Sequence, residues 1–155
     1  MKVAILSDLH SNIQALEACL AHAREHGAQA YVFLGDLVGY GADPVAVLER
    51  VMALQNQGAR VVCGNHDRMA LTPPQQGRTE GEAGAAWTHA QLPEEHRAFL
   101  RDLPLTLTDE DVLFVHASAV APERWHYVEE ERAAARSLDA AVQAPIAGVF
   151  LPKAE

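Results

Sequence analysis

The chain is 155 residues long, 49% hydrophobic and 21% charged, with a formal net charge of −9. That length favours one domain whose core needs no disulfides, and the balance of residues excludes a disordered chain. The acidity gives no general electrostatic reason to bind DNA, RNA or an anionic membrane, so a phosphate ligand would need local positive charge, which a bound metal ion could supply.

The opening segment, MKVAILSDLHSN, has an apolar run that meets Asp8 and His10 too soon to be a signal peptide. No stretch of the chain is apolar for long enough to span a membrane. Val3–Leu6 reads as a buried parallel strand. Ser11 and Gln14 have capping-box spacing, and Ile13, Leu16, Leu20 and Ala23 recur at helical intervals until Gly27 stops the helix. Tyr31–Leu34 reads as a second strand, ending in Gly35-Asp36. Asp43-Pro44 opens a second helix, with Val45, Leu48, Val51 or Met52, and Leu54 on its apolar stripe and Gly58 at its end. Arg60–Cys63 is a third strand, running into Gly64-Asn65-His66-Asp67. This β-α-β-α-β order predicts a parallel sheet with right-handed crossovers.

Beyond Arg68 the pattern changes. Thr72–Gly77 is a polar loop, and helices are predicted over 80–91 and 93–102. Leu105–Thr108 and Val112–Val115 read as two strands of a hairpin. Residues 129–143 read as a further helix and 144–150 as a strand. Cys19 and Cys63 stand far apart in apolar runs, so both are expected to be buried free thiols, which suits a reducing cytoplasm.

Ligands of open α/β sheets bind outside the carboxyl ends of the strands. The polar residues collect at those ends. Asp8 and His10 follow the first strand, Asp36 the second, Asn65, His66 and Asp67 the third, and His116 the last clear one. Each alone has an ordinary reading as a cap, a turn, a loop of turn-formers or a core histidine. Four such strand ends together outweigh it. Aspartate, asparagine and histidine without cysteine suit Mn²⁺, Fe²⁺, Co²⁺, Ni²⁺ or Zn²⁺. Two histidines argue against a Mg²⁺ or Ca²⁺ site, which prefers oxygen alone. The set is large enough for two ions, and a pair about 3.5–4 Å apart can generate a hydroxide nucleophile and clamp an in-line phosphoryl displacement.

SDLHSN at Ser7–Asn12, GDLVGYG at Gly35–Gly41, GNHD at Gly64–Asp67 and VHA at Val115–Ala117 resemble, in type, order and spacing, the calcineurin-like metallophosphoesterase family. The likeness covers residues 1–117 and is strongest to the small bacterial and archaeal phosphodiesterase branch. It implies an α/β sandwich of mixed sheets flanked by helices. It also implies hydrolysis of small phosphomonoesters or phosphodiesters by a metal-bound hydroxide. By that resemblance Asp8 and His10 ligate a first ion, Asp36 bridges, and Asn65 and His116 ligate a second. His66 approaches the leaving-group oxygen as general acid or phosphate-stabilising donor, and Asp67 orients it. Arg68 is open to a phosphate-holding or a solvated reading, and Tyr40 to a place at the mouth of the site or a packed one.

The family's Gly-His-x-His motif finds no counterpart here. Residues 144–150 read as the strand that leads to it, and His126 stands in the wrong place. The expectation is therefore a single domain over 1–155, C-terminally incomplete relative to the family, with the last strands of the second sheet missing. The metal site would be reduced, and a homo-oligomer or a partner would cover the open sheet. A truncated or non-catalytic relative, keeping metal or phosphate binding as a regulatory module, is the competing expectation. The intact His66-Asp67 pair favours catalysis.

Overall fold

Apolar strands with β-branched residues pair first with their neighbours in sequence, and three of them form the sheet that positions the site. β1 (Val3–Leu6), β2 (Ala30–Phe33) and β3 (Arg60–Val61) lie in that order and all run parallel, with Ile5 opposite Val32 and Phe33 opposite Val61. The computed structural model describes residues 1–74, 79–109 and 111–143. β3 is shorter than the predicted Arg60–Cys63. Val62 N–H still donates to Phe33 O at 2.9 Å, but Cys63 N–H turns away to Pro104 O at 2.8 Å.

The crossovers are helical. α1 (Ile13–Glu25) is capped by Asn12, whose Oδ1 accepts from Ala15 N–H at 2.9 Å. The expected Ser11–Gln14 capping box does not form, because Ser11 is fully buried in a left-handed conformation with no partner for its hydroxyl. α2 (Pro44–Gln55) starts at proline as predicted and buries Val47, Leu48, Val51 and Leu54; Val45 falls at the edge of the core. Cys63 lies in the same core, and burial pushes its thiol up to about 12. Cys19 is exposed, contrary to expectation, because the buried stripe of α1 is narrow and runs through Leu16 and Leu20.

Next come α3 (Asn65–Leu71), α4 (Glu80–Gln91) and α5 (Glu94–Asp102). β4 (Thr106–Asp109) and β5 (Val112–Val115) pair antiparallel with Leu107 opposite Phe114, and α6 (Glu131–Gln143) follows a 3₁₀ turn at Pro122–Arg124. The predicted strand at 144–150 lies outside the described residues.

Side chains of a strand alternate between faces, and β2 shows how the layers stack. Phe33 joins Leu16, Leu20, Leu48 and Val51 in the helix-side core. Its neighbour Val32 points the other way, onto Val62, Leu107 and Phe114 of the hairpin side. Helices thus cover one face of the parallel sheet and the β4–β5 sheet covers the other, the layered α/β arrangement expected. Arg60 and Asp109 form an ion pair between β3 and β4. On the hairpin face the register places Ile5 of β1 beside Val32, yet Val3 and Ile5 remain 38% and 57% exposed. Among the described residues, none covers that end of the sheet.

Candidate metal centre

The loops leaving β1 and β2 are laced together by backbone bonds. Asp8 N–H donates to Gly35 O, His10 N–H to Asp36 O and Ser11 N–H to Leu37 O, at 3.1, 2.9 and 3.0 Å. They are also unusually contorted. Asp8, His10, Ser11, Asp36 and Tyr40 all have positive φ, between 44° and 58°. Asp and His tolerate that region better than most residues. Its concentration at two strand ends marks a backbone held in place by its surroundings rather than by local preference. The β2 and β3 ends close directly on one another, and a Cβ at Gly64 would fall 2.1 Å from Asp36 Oδ1, so only glycine fits.

Into this frame the candidate ligands converge. Asp8, Asp36 and His116 each offer an atom within 4.8 Å of the other two. Asp36 is buried, and its Oδ2 lies 3.8 Å from His10 Nε2 and 3.5 Å from His116 Nε2. His10 Nε2 is also 3.7 Å from Asp8 Oδ1, and His116 Nε2 is 3.1 Å from Asn65 Oδ1. Both imidazoles are oriented by the main chain: His10 Nδ1–H donates to Val38 O at 3.2 Å and His116 Nδ1–H to Leu34 O at 2.7 Å. A carbonyl can only accept, so each ring keeps its proton on Nδ1 and turns Nε2 toward Asp36. Two donors at 2.0–2.1 Å from one tetrahedral ion stand about 3.4 Å apart. The donor types, the tautomers and these spacings therefore fit divalent metal.

The electrostatics agree. Burial opposes the charged form of His116, but the hydrogen bond and charge of Asp36 outweigh it and raise the imidazole to about 9. Burial likewise pushes Asp36 up, and His116 more than reverses this, holding the carboxyl below its ordinary range. Without metal the pair therefore exists as imidazolium and carboxylate.

His66 is the second residue of α3, its N–H donating to Asp36 Oδ1 at 2.9 Å. Its ring is buried, which lowers its pKa, and Nδ1 has no hydrogen-bond partner. Asp67 does not orient that ring as the resemblance implied. Its Oδ1 accepts from Leu37 N–H and Val38 N–H at 2.9 and 3.2 Å, and its Oδ2 from Gly64 N–H at 2.9 Å. Fully buried, its carboxyl is pushed up to about 7 by desolvation, against the pull of those three amides. Asp67 therefore ties the β2 loop to the start of α3, acting on the site through the backbone. The helix itself was missed in the sequence, where GNHD read as a loop; an aspartate at the third helical position bonding back to the cap N–H was the available signal.

Arg68 is turned away from the centre. Its guanidinium donates to Arg101 O and Leu103 O at 3.3 and 3.4 Å, satisfying carbonyls at the end of α5. Trp125, not singled out in the sequence, packs edge-on to His116 with ring centroids 6.0 Å apart. Tyr40 packs against both His10 and His66, at 4.9 and 4.6 Å. His126 is exposed.

Residues 1–148 match the calcineurin-like phosphoesterase superfamily domain. The chain belongs to that superfamily. Among relatives, this phosphoesterase-family chain is 34% identical over 132 residues to an uncharacterized protein of Methanocaldococcus jannaschii, covering 81% of its own length and 53% of the relative. It is 33% identical over 153 residues to a symmetrical bis(5′-nucleosyl)-tetraphosphatase of Janthinobacterium sp. (strain Marseille), covering 95% and 51%. Among solved structures, a metallophosphoesterase from Sphaerobacter thermophilus superposes with a TM-score of 0.77 at 34% identity, covering 90% of this chain and 56% of that one. The chain spans about half the length of the curated relatives it matches. No helix among the described residues is long and apolar enough to cross a membrane.

Proposed function

We propose that this chain carries the centre of a metal-dependent phosphoesterase acting on small phosphomonoesters or phosphodiesters in the cytoplasm. The observation that carries the reading is Asp36 Oδ2, set between the Nε2 atoms of His10 and His116, whose rings are both locked in the ligating tautomer. Asp8 and His10 would hold one divalent ion, Asn65 and His116 a second, with Asp36 shared. When bound, such ions supply Lewis acidity at the phosphoryl oxygens and lower the pKa of water. The protein's own part is to place and protonate. His66, with Nδ1 enclosed, keeps Nε2 to give a proton to the departing oxygen. Asp67 holds the two loops that carry Asp36 and His66 in register. A relative's name points to nucleoside polyphosphates, which makes them the natural esters to try beside simple aryl ones.

The direct test is hydrolysis of bis(4-nitrophenyl) phosphate and 4-nitrophenyl phosphate by the purified chain. Turnover is expected with Mn²⁺ and none after chelation. Absence of turnover with Mn²⁺, Co²⁺, Ni²⁺ and Zn²⁺ alike would reject the enzyme reading; retained metal or phosphate binding would then point to a binding module. The same preparation checks His116. Metal must displace a proton from an imidazole held near 9, so the sign is a Mn²⁺ affinity that falls as pH falls. The expected slope is about tenfold per pH unit between about pH 6 and 8 from this group alone, and a flat profile would exclude His116 as a ligand.

The open face at Val3 and Ile5 supports one further part of the proposal, association of two copies through β1. Light scattering should give a mass above the 16.8 kDa of one chain, and Ile5→Lys should lower it. A single-chain mass for the unaltered protein would remove this element.

A further inference from the structure

The turn Gly39-Tyr40-Gly41 presents one side chain that the proposed chemistry leaves unused. Tyr40 has φ 56°, a strained conformation for a bulky residue. Burial of the ring does not account for the strain, because Tyr40 is 58% exposed. The ring nevertheless has a fixed seat, edge-on to His10 and tilted on His66, with centroids 4.9 and 4.6 Å away. The neighbouring backbone is pared down around that seat. A Cβ at Gly81 of α4 would approach the Tyr40 hydroxyl to 3.1 Å and His66 Cε1 to 3.2 Å, and one at Gly41 would lie 2.3 Å from His10 O. A cavity of about 600 Å³ opens between Tyr40 and the start of α1, bordered by Asp8, His10, Gln14 and Asp43. Two proposed ligands, Asp8 and His10, belong to its lining, and His66 adjoins it through Tyr40.

We infer that Tyr40 is a specificity-determining residue that stacks on a flat aromatic portion of the leaving group, seated in the cavity that Tyr40 borders. The inference deepens the proposed function and rests on it. The departing oxygen must lie within reach of His66; His10 and Tyr40 both touch His66 and border the cavity, and of the two Tyr40 is the one not proposed as a metal ligand. An aromatic already fixed against His10 and His66 yet partly uncovered needs no reorganisation to stack, and strained backbone beside a site points to use there.

The test measures binding, so it does not depend on turnover. The Mn²⁺-loaded protein is titrated with phenylphosphonate and with methylphosphonate, which share a charged group and differ in the ring. Wild type should prefer the phenyl ligand about tenfold, in line with aromatic stacking elsewhere. Tyr40→Leu should erase that preference while methylphosphonate affinity and metal content stay within about twofold, and Tyr40→Phe should keep it. Adenosine 5′-monophosphate, run alongside, separates a nucleobase held a sugar away from a ring carried directly on the phosphate. Whichever of the two aromatic ligands binds tighter and loses more in Tyr40→Leu identifies the leaving group. If wild type binds both phosphonates equally, or if Tyr40→Leu weakens them alike, the inference falls and the phosphoesterase reading stands. If neither phosphonate binds and no ester is hydrolysed, both fall.

Discussion

Replacing Asp36 by asparagine should empty the centre. The substitution keeps size and shape, and the new amide oxygen can still accept from His66 N–H, the bond that Oδ1 now holds at 2.9 Å. What it removes is the negative charge and the second acceptor oxygen at the point where His10 and His116 meet. On the proposed assignment both ions would lose their shared ligand at once. Loss of a group merely supporting a ligand weakens metal binding 10–100-fold, so loss of the shared carboxylate should exceed about a hundredfold and take turnover with it. Metal analysis after gel filtration reads this directly, and circular dichroism confirms that the variant is folded. Unchanged metal content in a folded Asp36→Asn protein would show that Asp36 does not bridge.

His66→Ala should do the opposite, keeping metal and losing chemistry. The ring makes no hydrogen bond through its buried Nδ1, so its removal strands no partner. The α3 cap bond from Gly64 N–H to Asp67 is untouched. A general acid contributes about 10²–10⁴ in rate, and it does so in proportion to the leaving group's need for a proton. The loss should therefore approach about a thousandfold for an alkyl or nucleoside ester and be much smaller for a nitrophenyl one, whose oxygen departs readily as the anion. Equal losses on both would mean that His66 holds phosphate rather than donating a proton. Metal loss in His66→Ala would place it among the ligands.

The outline of the centre was legible in the sequence because the chemistry sits where apolar runs stop. Val3–Leu6 and Tyr31–Leu34 announce strands, and Asp8, His10 and Asp36 stand just past their ends. The parallel order followed from the same alternation. Legibility failed where backbone atoms do the work. Nothing in residue type reveals that Leu34 O and Val38 O set the tautomers of His116 and His10. Nor does it show that Asp67 would serve Leu37, Val38 and Gly64 instead of the neighbouring His66. Cys19 misled for a different reason: α1 carries alanines on several sides, so apolar neighbours in sequence did not mark the buried face.

His116 reaches Leu34 across 82 positions of the chain, and that span sets an order of assembly. On an emerging polypeptide, Asp8, His10, Asp36 and Asn65 can already be gathered by the first three strands while residue 116 is still unmade. The last proposed ligand arrives only when the β4–β5 hairpin docks on the far face of the parallel sheet. On the proposed assignment, metal held by residues of both sheets would act as a clasp between them, beside the contacts of Val32, Val62, Leu107 and Phe114 and the Arg60–Asp109 ion pair. Ion occupancy and the seating of the second sheet would then be linked, and whatever stabilises either would stabilise both.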